Sequence, residues 1–268
     1  MRFALPALSL VAAAGCAPAL HDPPTVSQLG PDVLRPGPTA TGPANVDRLL
    51  TEAEGCYRRR DLPEQARAAQ KLFLEAARAD ETRAEGLLGL ARATAWLVEH
   101  ASVAAERGSL VTVGVQAAQL CADRAPAAGS CDYALAIALG QQARERHATG
   151  HDGLAKMVAA LRRAIASEPS LDGAGPHRVL ALVYLRAPGW PAGPGDTEAG
   201  LAEAKEAVIL APDHPANQLA LGEAFRRSGR PDEARAAYLH ALELARQAAD
   251  DPEAPEWLAE ATKGLGPA

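Results

Sequence analysis

Two cysteines and two histidines stand at spacings that could support chemistry. Cys121 and Cys131 lie ten residues apart, near the end of one predicted helix and the start of the next. An antiparallel turn between those helices would bring the two thiols within disulfide reach. Bonded and free thiols both fit that spacing. Cys56 has no neighbour of its kind and reads as a small buried apolar residue. His147 and His151 are four apart, the spacing that sets two imidazoles on one helical face as metal ligands. Gly150 lies between them at a predicted helix end, with no Glu and no third ligand nearby, so they read as solvated turn residues. No metal site and no cofactor is expected. The chain contains no Gly-x-Ser-x-Gly elbow, P-loop, Cys-x-x-Cys pair or calcium loop. No catalytic residue is assigned, and binding rather than catalysis is the expected kind of function.

The fourth cysteine has a different setting. Met1-Arg2 is a short basic start, residues 3–14 are apolar apart from Pro6 and Ser9, and Ala13-Ala14-Gly15-Cys16 follows. A short apolar run ending in small residues reads as an export signal, too short to span a bilayer. The four-residue phrase resembles a bacterial lipobox. That resemblance makes residues 1–15 a lipoprotein signal peptide and Cys16 the lipidated first residue of the mature chain. Ala17, rather than Asp, after the cysteine favours the outer membrane, with the protein facing the periplasm. The periplasm is oxidising, which leaves a Cys121–Cys131 disulfide open. Residues 17–44 hold seven prolines and three glycines with no apolar periodicity. The whole of 16–44 reads as a Pro-rich, disordered tether.

What must position any binding residue is a set of helices. The chain is 48% hydrophobic but only 4% aromatic, and alanine dominates the apolar set. Alanine is the best helix former and lets helices approach closely. Alternating β-branched runs bounded by turns are lacking, so an all-α fold is expected. The net charge of −6 and the lack of a basic stripe argue against a nucleic-acid partner.

The helices come in a repeat. Gly222 and Phe225 sit on one helix, and Ala234, Tyr238 and Ala241 on the next. The twelve-residue step from Gly222 to Ala234 is that of a tetratricopeptide repeat (TPR). Small residues there let two helices approach to about 8–10 Å while Phe225 and Tyr238 fill the remaining space. Ala207 and Pro212 close the preceding unit, and Ala164 and Pro169 the one before. Phe73 and Ala76 mark a degenerate first unit, with Gly89 and Gly140 at seams. About five helix pairs are expected over residues 45–249. A capping helix and tail follow over 250–268, with Trp257 and Leu258 covering the end of the stack. Residues 109–115 are rich in β-branched side chains, an unusual composition for a helix.

One pair is interrupted. Residues 186–196 put Pro188, Gly189, Trp190 and Pro191 between two helices that normally need only a few joining residues. The prolines favour an ordered loop. Trp190, with Tyr184 just before it, is a candidate contact residue at the mouth of a groove. The other reading is that Trp190 packs down to hold its own loop.

The phrase Gly175-Pro176-His177-Arg178-Val179-Leu180, then Tyr184-Leu185-Arg186-Ala187-Pro188-Gly189-Trp190-Pro191, Gly195-Asp196 and Ala207-Val208-Ile209-Leu210-Ala211-Pro212-Asp213, resembles the TatT family. These are lipoprotein T-components of TRAP transporters. The resemblance implies a periplasmic TPR-like scaffold that partners a solute-binding protein, binds a small organic ligand and forms trimers. A TPR lipoprotein that assembles outer-membrane or pilus machinery is the alternative reading.

Overall fold

A computed structural model describes residues 17–29 and 43–266 of the 268-residue chain. Cys16 and the signal segment lie outside the described residues. Among those described, eleven α-helices form five antiparallel pairs and a cap. The pairs are α1 (Pro43–Tyr57) with α2 (Pro63–Ala79), α3 (Glu85–His100) with α4 (Ala104–Arg124), and α5 (Gly129–Glu145) with α6 (Gly150–Ser167). They continue as α7 (Leu171–Arg186) with α8 (Thr197–Leu210) and α9 (Pro215–Arg227) with α10 (Pro231–Gln247), closed by α11 (Ala254–Leu265). No described helix is long and apolar enough to cross a membrane.

Local chemistry starts the helices. Proline occupies the first turn of α2, α9, α10 and α11, where its missing N–H costs nothing. Asp196 caps α8, its carboxylate accepting from the Glu198 and Ala199 amides at 3.0 Å each. The β-branched stretch 109–115 stays helical within the 21-residue α4, with Val111, Val113 and Val115 buried.

Small residues set the pairing. A Cβ on Gly89 would stand 2.2 Å from the Phe73 ring, so α3 can pack on α2 only with glycine there. A Cβ on Gly222 would stand 2.8 Å from the Tyr238 ring, and one on Gly264 2.5 Å from it. Tyr238 is therefore held between α9 and α11. Ala234, Tyr238, Ala241, Ala245, Trp257 and Ala261 form the core of this last unit. Leu258 lies partly buried against it.

The chain enters α7 through a left-handed turn. Asp172, Gly173 and Ala174 have φ of 51°, 58° and 64°, a region that non-glycine residues occupy at a cost. Side chains from two neighbouring units hold them there. Tyr133 Oη donates to Asp172 at 3.0 Å, and Asn217 Nδ2 donates to the Gly173 carbonyl at 2.9 Å.

The stack curves until its ends meet. Arg60, just after α1, pairs with Glu253 before α11 at 2.9 Å, and His100 at the end of α3 lies 3.2 Å from Glu256. The Arg60 guanidinium sits 4.8 Å from the ring centres of both Tyr57 and Trp96.

The tether reading needs correction for residues 17–29, which pack on the solenoid. Ala19, Val26 and Leu29 are buried. Apart from one 3-10 turn at Val26–Gln28, their proline-rich backbone is not helical, and it borrows partners: Arg78 donates to the Leu29 carbonyl at 2.7 Å and Gln119 to that of His21 at 3.0 Å.

Candidate protein-binding surface

In each pair the first helix turns back into the second, and for the fourth pair that turn is the loop of residues 187–196. The loop is tied to itself and to α7. The Gly195 amide donates to the Pro188 carbonyl at 2.8 Å, the Ala192 amide to that of Gly189 at 3.0 Å, and the Asp196 amide to that of Tyr184 at 2.9 Å. A Cβ on Gly195 would come within 2.2 Å of the Ala187 carbonyl oxygen, and one on Gly193 within 2.7 Å of that of Pro188. The loop closes only because both are glycine. The Trp190–Pro191 peptide is cis.

At the tip of this ordered loop Trp190 is 90% exposed. It does not pack down on its own loop. Nor does it share a groove with Tyr184, whose ring is buried on the α6 side of α7 with its hydroxyl accepting from Arg162 at 2.9 Å. The sequence reading puts the two together, but helical geometry points Tyr184 into the stack while the loop carries Trp190 away from it.

An open cleft lies between α9 and α10. It has a volume of about 300 Å³ and is lined by Gln218, Leu221, Phe225, Glu233, Ala237 and His240. Phe225 thus has two roles: it fills the seam of its repeat and shows one face to the cleft, with Arg230 stacked 4.6 Å from its ring centre. A second hollow of about 390 Å³ opens where α8 turns into α9, between Pro212, His214, Asp251 and Trp257. His214 meets Trp257 edge-on at 5.5 Å, and burial pushes its imidazole pKa down.

The remaining repeat-defining residues are core. Ala207 and Ala241 are fully buried, and Ala234 nearly so. Cys121 and Cys131 stand on either side of the α4–α5 turn, Cα atoms 5.3 Å apart and sulfurs joined, while Cys56 is free and partly buried. His147 and His151 are exposed around the α5–α6 turn. No group of three or more metal-ligating side chains occurs among the described residues.

Sequence reasoning passed over two polar side chains that join repeats. Asn217 is fully buried and donates to the carbonyls of Gly173, Ala207 and Ala211 at 2.9, 3.0 and 2.9 Å. Glu223 takes Arg186 Nε at 3.0 Å and Arg227 Nε at 3.0 Å. Burial pushes its carboxyl up, but the two guanidinium groups outweigh that and hold it below the usual carboxylate range. An Asn just inside a helix that begins with proline, and a Glu four before an Arg, are the signals these two positions carry. Both also occur on ordinary surface helices.

No protein-family model matches the chain, and no curated protein matches it. Solved structures do. A thermophilic TPR protein from Thermus thermophilus superposes with a TM-score of 0.61 at 23% identity, over 82% of this chain and 98% of that one. MamA from residue 41 to its end, from Desulfovibrio magneticus, gives 0.52 at 19% identity over 78% and 98%. With the pairing and seam geometry above, these similarities establish the fold as an all-α, TPR-like solenoid.

Proposed function

We propose that this chain is a membrane-tethered TPR-like scaffold of the bacterial cell envelope that binds a protein partner. The observation that carries the reading is the open, partly apolar cleft beside Leu221 and Phe225, on the surface of a helical stack in which the buried Asn217 and Glu223 join repeats. Solenoids present such surfaces to partners as a consequence of stacking. An apolar floor with Gln218, Glu233 and His240 at its rim suits a short amphipathic segment of another protein.

The resemblance over residues 175–213 supports a narrower reading. The chain is then a T-component of a TRAP transporter, lipidated at Cys16, facing the periplasm from the outer membrane. Its partner is the periplasmic solute-binding protein, and a small organic ligand passes between them.

The test is affinity purification of the tagged full chain from envelopes, beside a Leu221→Ser variant checked for an unchanged melting temperature. Recovery of a TRAP solute-binding protein with the wild type, and its loss with the variant, supports the reading. Recovery of a secretin or outer-membrane barrel protein instead favours the assembly alternative. Equal recovery with both proteins removes the cleft from the interface.

A further inference from the structure

The start of the described chain is pinned to one edge of the solenoid. The Ala17 amide donates to the Ala148 carbonyl at 3.0 Å, within the α5–α6 turn. Ala19 is buried, and its amide donates to Asp152 Oδ2 at 2.7 Å. From there the segment crosses α4 at Gln119 and reaches the end of α2 at Arg78. The described chain therefore begins at the α5–α6 turn, and whatever precedes Ala17 is joined to the fold there. Burial of residues 17–29 takes about 40 Å of reach out of an extended tether.

The same edge carries apolar and basic side chains. Helices α3, α5 and α7 run parallel. Tyr133 near the start of α5 meets Asp172 near the start of α7, and Arg144 near the end of α5 pairs with Glu99 near the end of α3. Their C-terminal turns therefore share one edge, and those turns present Val103, 56% exposed, and Trp190, 90% exposed. Arg146, His147 and His151 are exposed between them. Arg146 donates to two neutral oxygens, the Gly108 carbonyl and the Thr112 hydroxyl. The acids beside it are engaged: Glu145 with Arg107, and Asp152 with Lys156 and the Ala19 amide.

We infer that this edge lies against the phospholipid bilayer that holds the Cys16 anchor, with Trp190 at headgroup level and Arg146 facing anionic headgroups. The inference rests on the lipid-anchor reading above. Three features converge on one surface: an attachment point with little slack, an indole on a rigid projecting loop, and the exposed guanidinium of Arg146. Tryptophan prefers the membrane interface because its ring is apolar and its N–H polar. A basic group near the surface adds attraction to anionic lipid. Acyl chains supply affinity, and the second contact fixes orientation, holding the solenoid in one attitude rather than letting it swing on a long leash.

The experiment uses the full chain, produced in a bacterium that processes lipoproteins and purified from its membranes in detergent. It is reconstituted into phosphatidylethanolamine–phosphatidylglycerol vesicles, with or without lipids brominated near the headgroup. The mass of the N-terminal peptide reports acylation separately. The contribution of Trp190, obtained as the difference from Trp190→Phe, should lose most of its emission in brominated vesicles. An indole introduced by Ala127→Trp in the Trp190→Phe background, at the other end of α5 and about 25 Å away, should keep its emission. Ala19→Asp, which undocks the segment, should retain the acyl chains and reduce the difference between the two positions. An acylated protein whose Trp190 is quenched no more than the A127W position overturns the inference while leaving the anchor standing. So does a Trp190 that changes only when an envelope protein is added, which assigns the loop to a protein contact. An unacylated N-terminal peptide overturns the anchor reading and the inference with it.

Discussion

Arg178 on α7 and Asn217 on α9 meet side chain to side chain, the guanidinium donating to the amide oxygen at 2.9 Å. The same guanidinium reaches the Gly173 carbonyl at 3.2 Å, and the Asn217 amide reaches that carbonyl at 2.9 Å. The pair therefore grips the left-handed turn from both sides. Asn217→Ala should leave buried carbonyls without a donor and lower stability by about 1–3 kcal/mol. The midpoint of a urea titration reads this. An unshifted midpoint would mean that the turn does not depend on the clamp.

Tyr238 is held by two glycines rather than one. Gly222→Leu should wedge α9 from α10, and Gly264→Ala should wedge α11 from α10. Each is expected to cost about 1–3 kcal/mol through overpacking. Thermal melting of both variants tests the register of the last repeat. If only the Gly222 variant is destabilised, α11 yields to accommodate the methyl group.

His214 gives the fold a dependence on pH. Its folded pKa is lowered by burial beside Trp257, with Arg178 adding to the effect. The unfolded chain therefore binds the proton more readily. Stability is fully present above the unfolded pKa of about 6.5 and is lost as pH falls from there through the folded pKa. His214 Nδ1 accepts from the Ala216 amide at 3.3 Å; His214→Asn keeps a side-chain acceptor there but cannot titrate. Its stability should fall less between pH 7 and 5 than that of the wild type, as measured by urea midpoints at each pH.

The Cys121–Cys131 bridge closes a short loop at the α4–α5 turn. Its removal should cost about 2–3 kcal/mol by loop entropy. Of Cys56, Cys121 and Cys131, only Cys56 should react with a thiol reagent in the unfolded, unreduced protein. Equal reactivity of all three would sink the bridge. Melting of the Cys121→Ser/Cys131→Ser double variant measures its contribution.

The helix pairs were legible because their causes are local. Gly222, Ala234, Tyr238 and Ala241 announce a close seam by size and spacing alone, and Pro212 and Pro231 mark breaks that any backbone must respect. The cap at Trp257 followed from the need to cover an end repeat. Gly264 was not legible as part of that seam, since its partner Tyr238 lies 26 residues earlier in the chain and only the packing of α11 brings them together. Asn217 and Glu223 escaped for the same reason, because the carbonyls Asn217 binds and the Arg186 that Glu223 binds belong to another repeat.

The sequence by itself determined an all-α chain of paired helices joined through alanine and glycine, because helix propensity, proline stops and steric size act within a few residues. Tertiary structure decided that residues 17–29 lie along the stack, that Tyr184 is buried while Trp190 stands clear of it, and that the first pair reaches the cap through Arg60 and Glu253. Composition shows that a proline-rich segment cannot fold alone. Whether it finds carbonyl partners depends on Arg78 and Gln119, which stand at the right positions only once the helices carrying them have stacked.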